Sequence, residues 1–203
     1  CGEGGDAISF LMKIQNKDFK EVIEDEAKNL GIELPQSFGG GNFNKKKQAA
    51  FDAMKMAAEF FHKNLLTSPD AQFAAEYLKN RSISDEVIKT YQLGYAPKSY
   101  DALQKALNID PQILESAGLV IKREREKGYV DRFRNRLIIP VCDENGHVVA
   151  FGARALEAGQ NPKYLNSPDT ILYNKSRILY GFDKAKDAIR EQDSVITVSY
   201  THL

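Results

Sequence analysis

Apolar positions recur at intervals of three and four residues through the first half of the chain, the spacing of helices with one buried face. Asp6 stands before Ala7, Ile8, Phe10, Leu11 and Ile14, so it is placed to cap a first helix. Asp18 opens a second, with Phe19, Val22, Ile23, Ala27 and Leu30 on one face and Gly31 just past its end. Glu26 falls on that apolar face, an anomaly in the pattern. From Gln48 the period resumes with Phe51, Met54, Ala58, Phe61 and Leu65. Pro69 at a first helical position predicts a helix to Lys79, and Ser84 with Glu86 predicts a short one after it. Residues 93–100 read as strand or loop, Tyr100 to Leu107 as helix, and 111–121 as a last short helix.

The texture changes at Gly128. Arg136–Val141 is apolar and β-branched, Asp143–Gly146 is a turn, and His147–Ala153 is apolar again, which together predict a β-hairpin. Pro162–Pro168 reads as a loop or edge segment, residues 182–191 as a helix, and Ser194–Val198 as the start of another strand. Helices first, then strands, define an α+β class: a helical N-terminal region followed by a mixed α/β subdomain. Pro35–Lys47, with three consecutive glycines and then three lysines, has the composition of a linker. The divisions expected are therefore a small helical unit at 1–33, a flexible linker at 34–47, a larger unit at 48–190, and a short final stretch at 191–203. Two helices of the first unit bury too little surface to fold by themselves.

Composition adds little. With 42% hydrophobic and 28% charged residues the chain is ordinary for a globular protein, and its 28 basic and 28 acidic residues cancel. Nucleic-acid binding must therefore rest on a local excess of charge. No apolar run approaches the ~18 residues of a membrane span, so no membrane partner is expected. Two cysteines far apart, Cys1 and Cys142, form no disulfide framework, and a cytoplasmic setting is the simplest reading.

The local excess lies between Val120 and Arg136. Lys122, Arg123, Arg125, Lys127, Arg132, Arg134 and Arg136 face only three acidic residues there. If residues 131–136 are extended, Arg132, Arg134 and Arg136 share one face, where guanidiniums can take phosphates bidentately. A solvated edge strand that resists aggregation is the competing account. The balance shifts because Arg154, Lys163, Tyr164, Asn166 and Lys175 follow, with Tyr164 offering a stacking face for a base. His62, His147 and His202 are isolated, and Cys142 reads as a packing residue.

The blocks DRFRNRLIIPVCDENGHVVAFGARAL, NPKYLNSPDT and ILYNKSRILYGFDKA resemble, in order and spacing, the catalytic core of bacterial replicative DNA primases. Residues 1–34 resemble the end of that family's zinc-binding domain, and the likeness is weakest across 35–110. The resemblance makes 48–190 the N-terminal subdomain of a primase RNA polymerase core and 191–203 the truncated start of a toprim-like metal subdomain. It implies an enzyme that lays short RNA primers on single-stranded DNA template from ribonucleotides, alongside a replicative helicase. It assigns template and nucleotide contacts to Arg132, Arg134, Asn135, Arg136, Arg154, Lys163, Tyr164, Asn166 and Lys175.

Three departures qualify that likeness. Ala153 stands where the family usually has a second glycine before the arginine. Cys1 matches only the last of four zinc ligands, so zinc belongs to an intact parent and not to this chain. Ser199 stands where a glutamate that helps hold magnesium belongs, so magnesium too is expected only in the parent, with a non-native end at Val198–Leu203. The alternative function is a catalytically silent single-stranded nucleic-acid-binding module. A topoisomerase-like relative that shares the metal domain fits the PKYLNSP and LYGF blocks poorly.

Overall fold

The computed structural model describes residues 6–15, 17, 19–32, 34, 41–123, 127–157 and 159–197. The chain divides into two compact units, Cys1–Lys46 and Lys47–Leu203. In the first, helix α1 (Ala7–Gln15) begins as its pattern predicts, with Asp6 Oδ1 accepting from the Ser9 amide at 2.7 Å. Helix α2 (Phe19–Leu30) ends at Gly31, whose φ of 67° is the left-handed conformation of a helix stop. Asp18, the expected cap, lies outside the described residues. Glu26 is half-buried, and Phe10, Ile14, Phe19 and Leu30 are exposed.

Helix α3 (Gly41–Thr67) starts earlier than its composition suggested, taking in residues 41–47 that were expected to be linker. Lysine is a good helix former, and no proline follows Pro35 until Pro69, so nothing stops the helix from reaching back through the lysines. A 3-10 turn (Pro69–Ala71) and α4 (Gln72–Asn80) follow, then α5 (Asp85–Thr90), capped by Ser84 Oγ on the Val87 amide. Strand β1 (Gly94–Ala96), α6 (Ala102–Leu107) and α7 (Pro111–Ser116) complete the helical half. Helix α7 stops at Ser116 rather than near residue 121. Gly118, at φ 72°, turns the chain away, and Val120 enters a strand.

Strands β2 (Val120–Lys122) and β3 (Tyr129–Asp131) pair with each other. The predicted hairpin forms β4 (Arg136–Cys142) and β5 (Val148–Ala155) around an Asp143 side chain that accepts from the Asn145 and His147 amides. With β1 on one side and β6 (Tyr164–Asn166) on the other, they make an antiparallel sheet in the order β1-β4-β5-β6. Helix α8 (Phe182–Gln192) comes last. No strand forms over 194–197. Ladder bonds need a neighbour, none of the described strands pairs there, and Ile196 is 93% exposed.

Each face of the sheet carries its own core. Ile138, Phe151 and Ala153 face Met54, Phe61, Leu103, Leu114 and Phe133. Leu137 and Tyr95 face Leu65, Ala74 and Leu78. The first packing is very close at Gly94, where a Cβ would sit 2.6 Å from Phe61 Cβ.

Candidate nucleic-acid interface

The basic segment is not the extended strand that its alternation suggested. Strand β3 ends at Asp131 and β4 begins at Arg136, and between them Asn135 has φ 52°. Backbone amides of this stretch bind three separate places: Asp131 donates to Tyr100, Arg132 to Leu119 and Asn135 to Pro97. Phe133 supplies the reason. It is only 2% exposed and packs edge-on to Phe151 at 6.0 Å, so the chain bends to bury it and the arginines diverge.

Arg132 Nη2 donates to the Asn166 carbonyl at 3.1 Å, tying the segment to β6. Arg134 donates to the Asp131 carbonyl and lies 5.1 Å from the Tyr100 ring centre. Arg136 is 4% exposed and donates to the Pro162 carbonyl at 2.7 Å. Burial pulls the Arg132 and Arg136 guanidiniums below their ordinary value, and for Arg136 the charge of Arg134 adds to it. Both stay cationic at neutral pH, as guanidiniums do. Asn135 Oδ1 accepts from the Tyr95 hydroxyl at 3.0 Å.

Register collects the next group. Leu137, Arg154 and Tyr164 lie opposite one another across β4, β5 and β6, so they share a face near one end of the sheet. The Arg154 guanidinium lies 4.1 Å from the Tyr77 ring centre and 5.9 Å from that of Tyr164. Its Nε and Nη1 are covered and have no hydrogen-bond partner among the described residues. Lys163 lies 5.8 Å from the Tyr164 ring, and that ring is 51% exposed. Asn166 is exposed on the same strand, while Lys175 is exposed in the following loop, its amide donating to Asp169. The Ala153 methyl points into the core, away from Arg154.

Asp131, the acid that directly precedes the three arginines, turns away from them. It is 2% exposed and turned toward α6, accepting from the Leu103 amide at 2.7 Å and from the Gln104 side chain at 3.0 Å. A surface of fixed guanidiniums beside an exposed phenol can bind phosphates and stack a base. Sequence reading missed Tyr77, Arg81 and Tyr100. The Tyr77 ring meets both Arg154 and Arg81, the latter 5.6 Å from its ring centre, and no local motif marks the long-range contact with Arg154.

Residues 60–186 match the family model of the DNA primase catalytic core, N-terminal domain, and residues 1–40 match the CHC2 zinc finger. Among solved structures, the RNA polymerase domain of Mycobacterium tuberculosis primase DnaG superposes with a TM-score of 0.66 at 36% identity, over 70% of this chain and 47% of that one. A DnaG primase catalytic domain bound to ssDNA gives 0.65 at 35% identity, over 71% and 45%. The zinc-binding and RNA polymerase domains of Aquifex aeolicus primase give 0.65 at 31% identity, over 95% and 46%. The fold is that of the N-terminal part of a primase catalytic core. A DNA primase of Legionella pneumophila is 39% identical over 198 residues, which are 98% of this chain and 34% of the relative. One of Streptomyces coelicolor is 38% identical over 210 residues, 99% of this chain and 32% of the relative. The chain belongs to the DnaG-type family of bacterial DNA primases and spans about a third of the length of these curated relatives.

A structural zinc ion needs about four nitrogen or sulfur donors, and the described residues bring no such set together. His62 Nδ1 is 2.7 Å from the Leu93 carbonyl, and His147 Nδ1 is 3.2 Å from Asp143 Oδ2. Cys142 sits half-buried on β4, where burial raises its thiol above the ordinary value. Cys1 and His202 lie outside the described residues. Among the described residues no three His, Cys, Asp or Glu side chains cluster as a metal site, and no helix is long and apolar enough to cross a membrane.

Proposed function

We propose that this chain is the template- and nucleotide-contacting part of a primase whose full length lays RNA primers on single-stranded DNA. The observation that carries the reading is the Arg154 guanidinium beside the exposed Tyr164 ring, with no carboxylate partner among the described residues, and with Arg132 tied to the same strand through the Asn166 carbonyl. Its support from outside is a relative's catalytic domain bound to ssDNA on the same fold. Arg132, Arg134, Arg154, Lys163 and Lys175 contact phosphates, of the template or of an incoming ribonucleotide, and Tyr164 stacks a base. Asn135 and Arg136 act from beneath, Asn135 through Tyr95 and Arg136 through the Pro162 carbonyl. On this reading zinc, magnesium and the replicative helicase are bound by the full-length primase and not by this chain.

The test is fluorescence anisotropy of the full chain with a labelled oligothymidine strand, titrated across salt concentrations. Each single-strand phosphate contact contributes roughly 0.7 to the slope of log affinity against log salt. Arg132→Ala and Arg154→Ala should each flatten that slope by about this amount. A slope near zero in the parent chain, or one that neither substitution alters, overturns the reading. Magnesium-dependent primer synthesis by a chain extended at both ends to the length of its relatives separates a primase from a silent binding module.

A further inference from the structure

Arg154 is held in an unusual way for a phosphate ligand. Its guanidinium lies 4.1 Å from the ring centre of Tyr77 on α4 and 5.9 Å from that of Tyr164 on β6, while the described residues offer its covered Nε and Nη1 no acceptor. The contacts continue on both sides. Arg81 lies 5.6 Å from the Tyr77 ring centre, and Lys163 lies 5.8 Å from that of Tyr164. Cations and rings therefore alternate as Arg81, Tyr77, Arg154, Tyr164 and Lys163, running from the C-terminal end of α4 to the edge strand of the sheet. Of the two rings near Arg154, that of Tyr164 is half-exposed, whereas Tyr77 is half-buried beside the Leu78 and Leu137 core.

We infer that Tyr77 is a positioning residue for the template site: it holds the planar face of Arg154, fixing the guanidinium beside Tyr164. This rests on the reading of the basic surface as a single-strand site. A long arginine side chain loses conformational freedom when it takes a phosphate, and that cost weakens binding. Stacking on Tyr77 places most of that cost in folding, so the strand meets a guanidinium already in place. A cation over a partly desolvated ring is attracted to it strongly enough to hold one rotamer.

The experiment measures binding of the labelled oligothymidine strand to the full chain and to the variants Tyr77→Leu, Tyr77→Phe, Arg154→Ala and Tyr77→Leu/Arg154→Ala. Tyr77→Leu should bind about tenfold more weakly, with its salt slope reduced by up to about 0.7. Tyr77→Phe keeps the ring and should stay within about twofold of the parent chain. In the Arg154→Ala background Tyr77→Leu should change affinity little, because its partner is already gone. If the leucine variant does not fold, Tyr77→Met fills the space without a ring and is read in the same way.

Wild-type affinity in Tyr77→Leu, a loss in Tyr77→Phe equal to that in Tyr77→Leu, or a full further loss in the Arg154→Ala background overturns the positioning role. Failure of the underlying reading looks different. There Arg132→Ala and Arg154→Ala themselves leave binding unchanged.

Discussion

Asp131 allows a stability argument that can be followed from bond to assay. Helix α6 begins after Asp101, whose side chain makes no capping bond, so its first amides need an acceptor from elsewhere. Asp131 provides it from β3, with Oδ2 2.7 Å from the Leu103 amide and Oδ1 3.3 Å from the Gln104 amide. Asp131→Ala removes both acceptors. The Leu103 residue is fully buried, so water cannot easily replace the bond, at a cost of about 1–3 kcal/mol. The half-exposed Gln104 groups are rehydrated more readily and add about 0.5–1 kcal/mol. The expected loss is about 2–4 kcal/mol, or roughly 4–16 °C in melting temperature for a unit of this size.

The pH dependence of Asp131 gives a second, independent reading. Burial is the largest influence on its carboxyl and pushes it above the ordinary value, against the opposing pull of the Leu103 and Gln104 hydrogen bonds. A carboxyl raised in the folded state holds its proton more tightly there than in the unfolded chain. Its contribution is therefore most favourable below the unfolded value of about 4 and declines as pH rises through the folded value. Asp131→Asn does not titrate, so thermal melts between pH 4 and 7 should show the parent chain losing ground relative to it as pH rises. An alanine variant that melts within about 1 °C of the parent chain, or a parent-to-asparagine difference that is flat with pH, would refute this account.

Gly94→Ala should destabilise by about 3 kcal/mol or more, because the new Cβ meets Phe61 Cβ at 2.6 Å and the Phe61 backbone carbon at 2.7 Å; chemical denaturation measures it. Phe133→Ala should cost about 3–5 kcal/mol in the same assay and also weaken strand binding, since burial of that ring sets the course of the arginine segment. Arg136→Ala should lower the melting temperature more than it changes the salt slope, because its guanidinium is buried on the Pro162 carbonyl; an unchanged melt with a flattened slope would make it a phosphate ligand instead.

How much of this was legible in the sequence depends on how far each feature reaches along the chain. The hairpin was, because alternation and the Asp143–Gly146 turn are local, and so was the α3 stripe of Met54, Ala58, Phe61 and Leu65. The course of residues 131–136 was not. Period-two alternation of Arg132, Phe133, Arg134, Asn135 and Arg136 is what a strand would show, yet here only Phe133 and Arg136 turn inward. A strand would set Phe133 and Asn135 against a common arginine face. The bend at Asn135 instead gives every arginine its own tether, on Asn166, Asp131 and Pro162 in turn. Charge separation follows from that bend. The aspartate goes to the start of α6, the phenylalanine goes to the core, and Arg132 reaches the Asn166 carbonyl on β6, the strand that carries Tyr164. The residue types named the chemistry, but only tertiary contacts from Tyr77, Leu103 and Phe151, all at least 18 positions from the residues they hold, decided where it points.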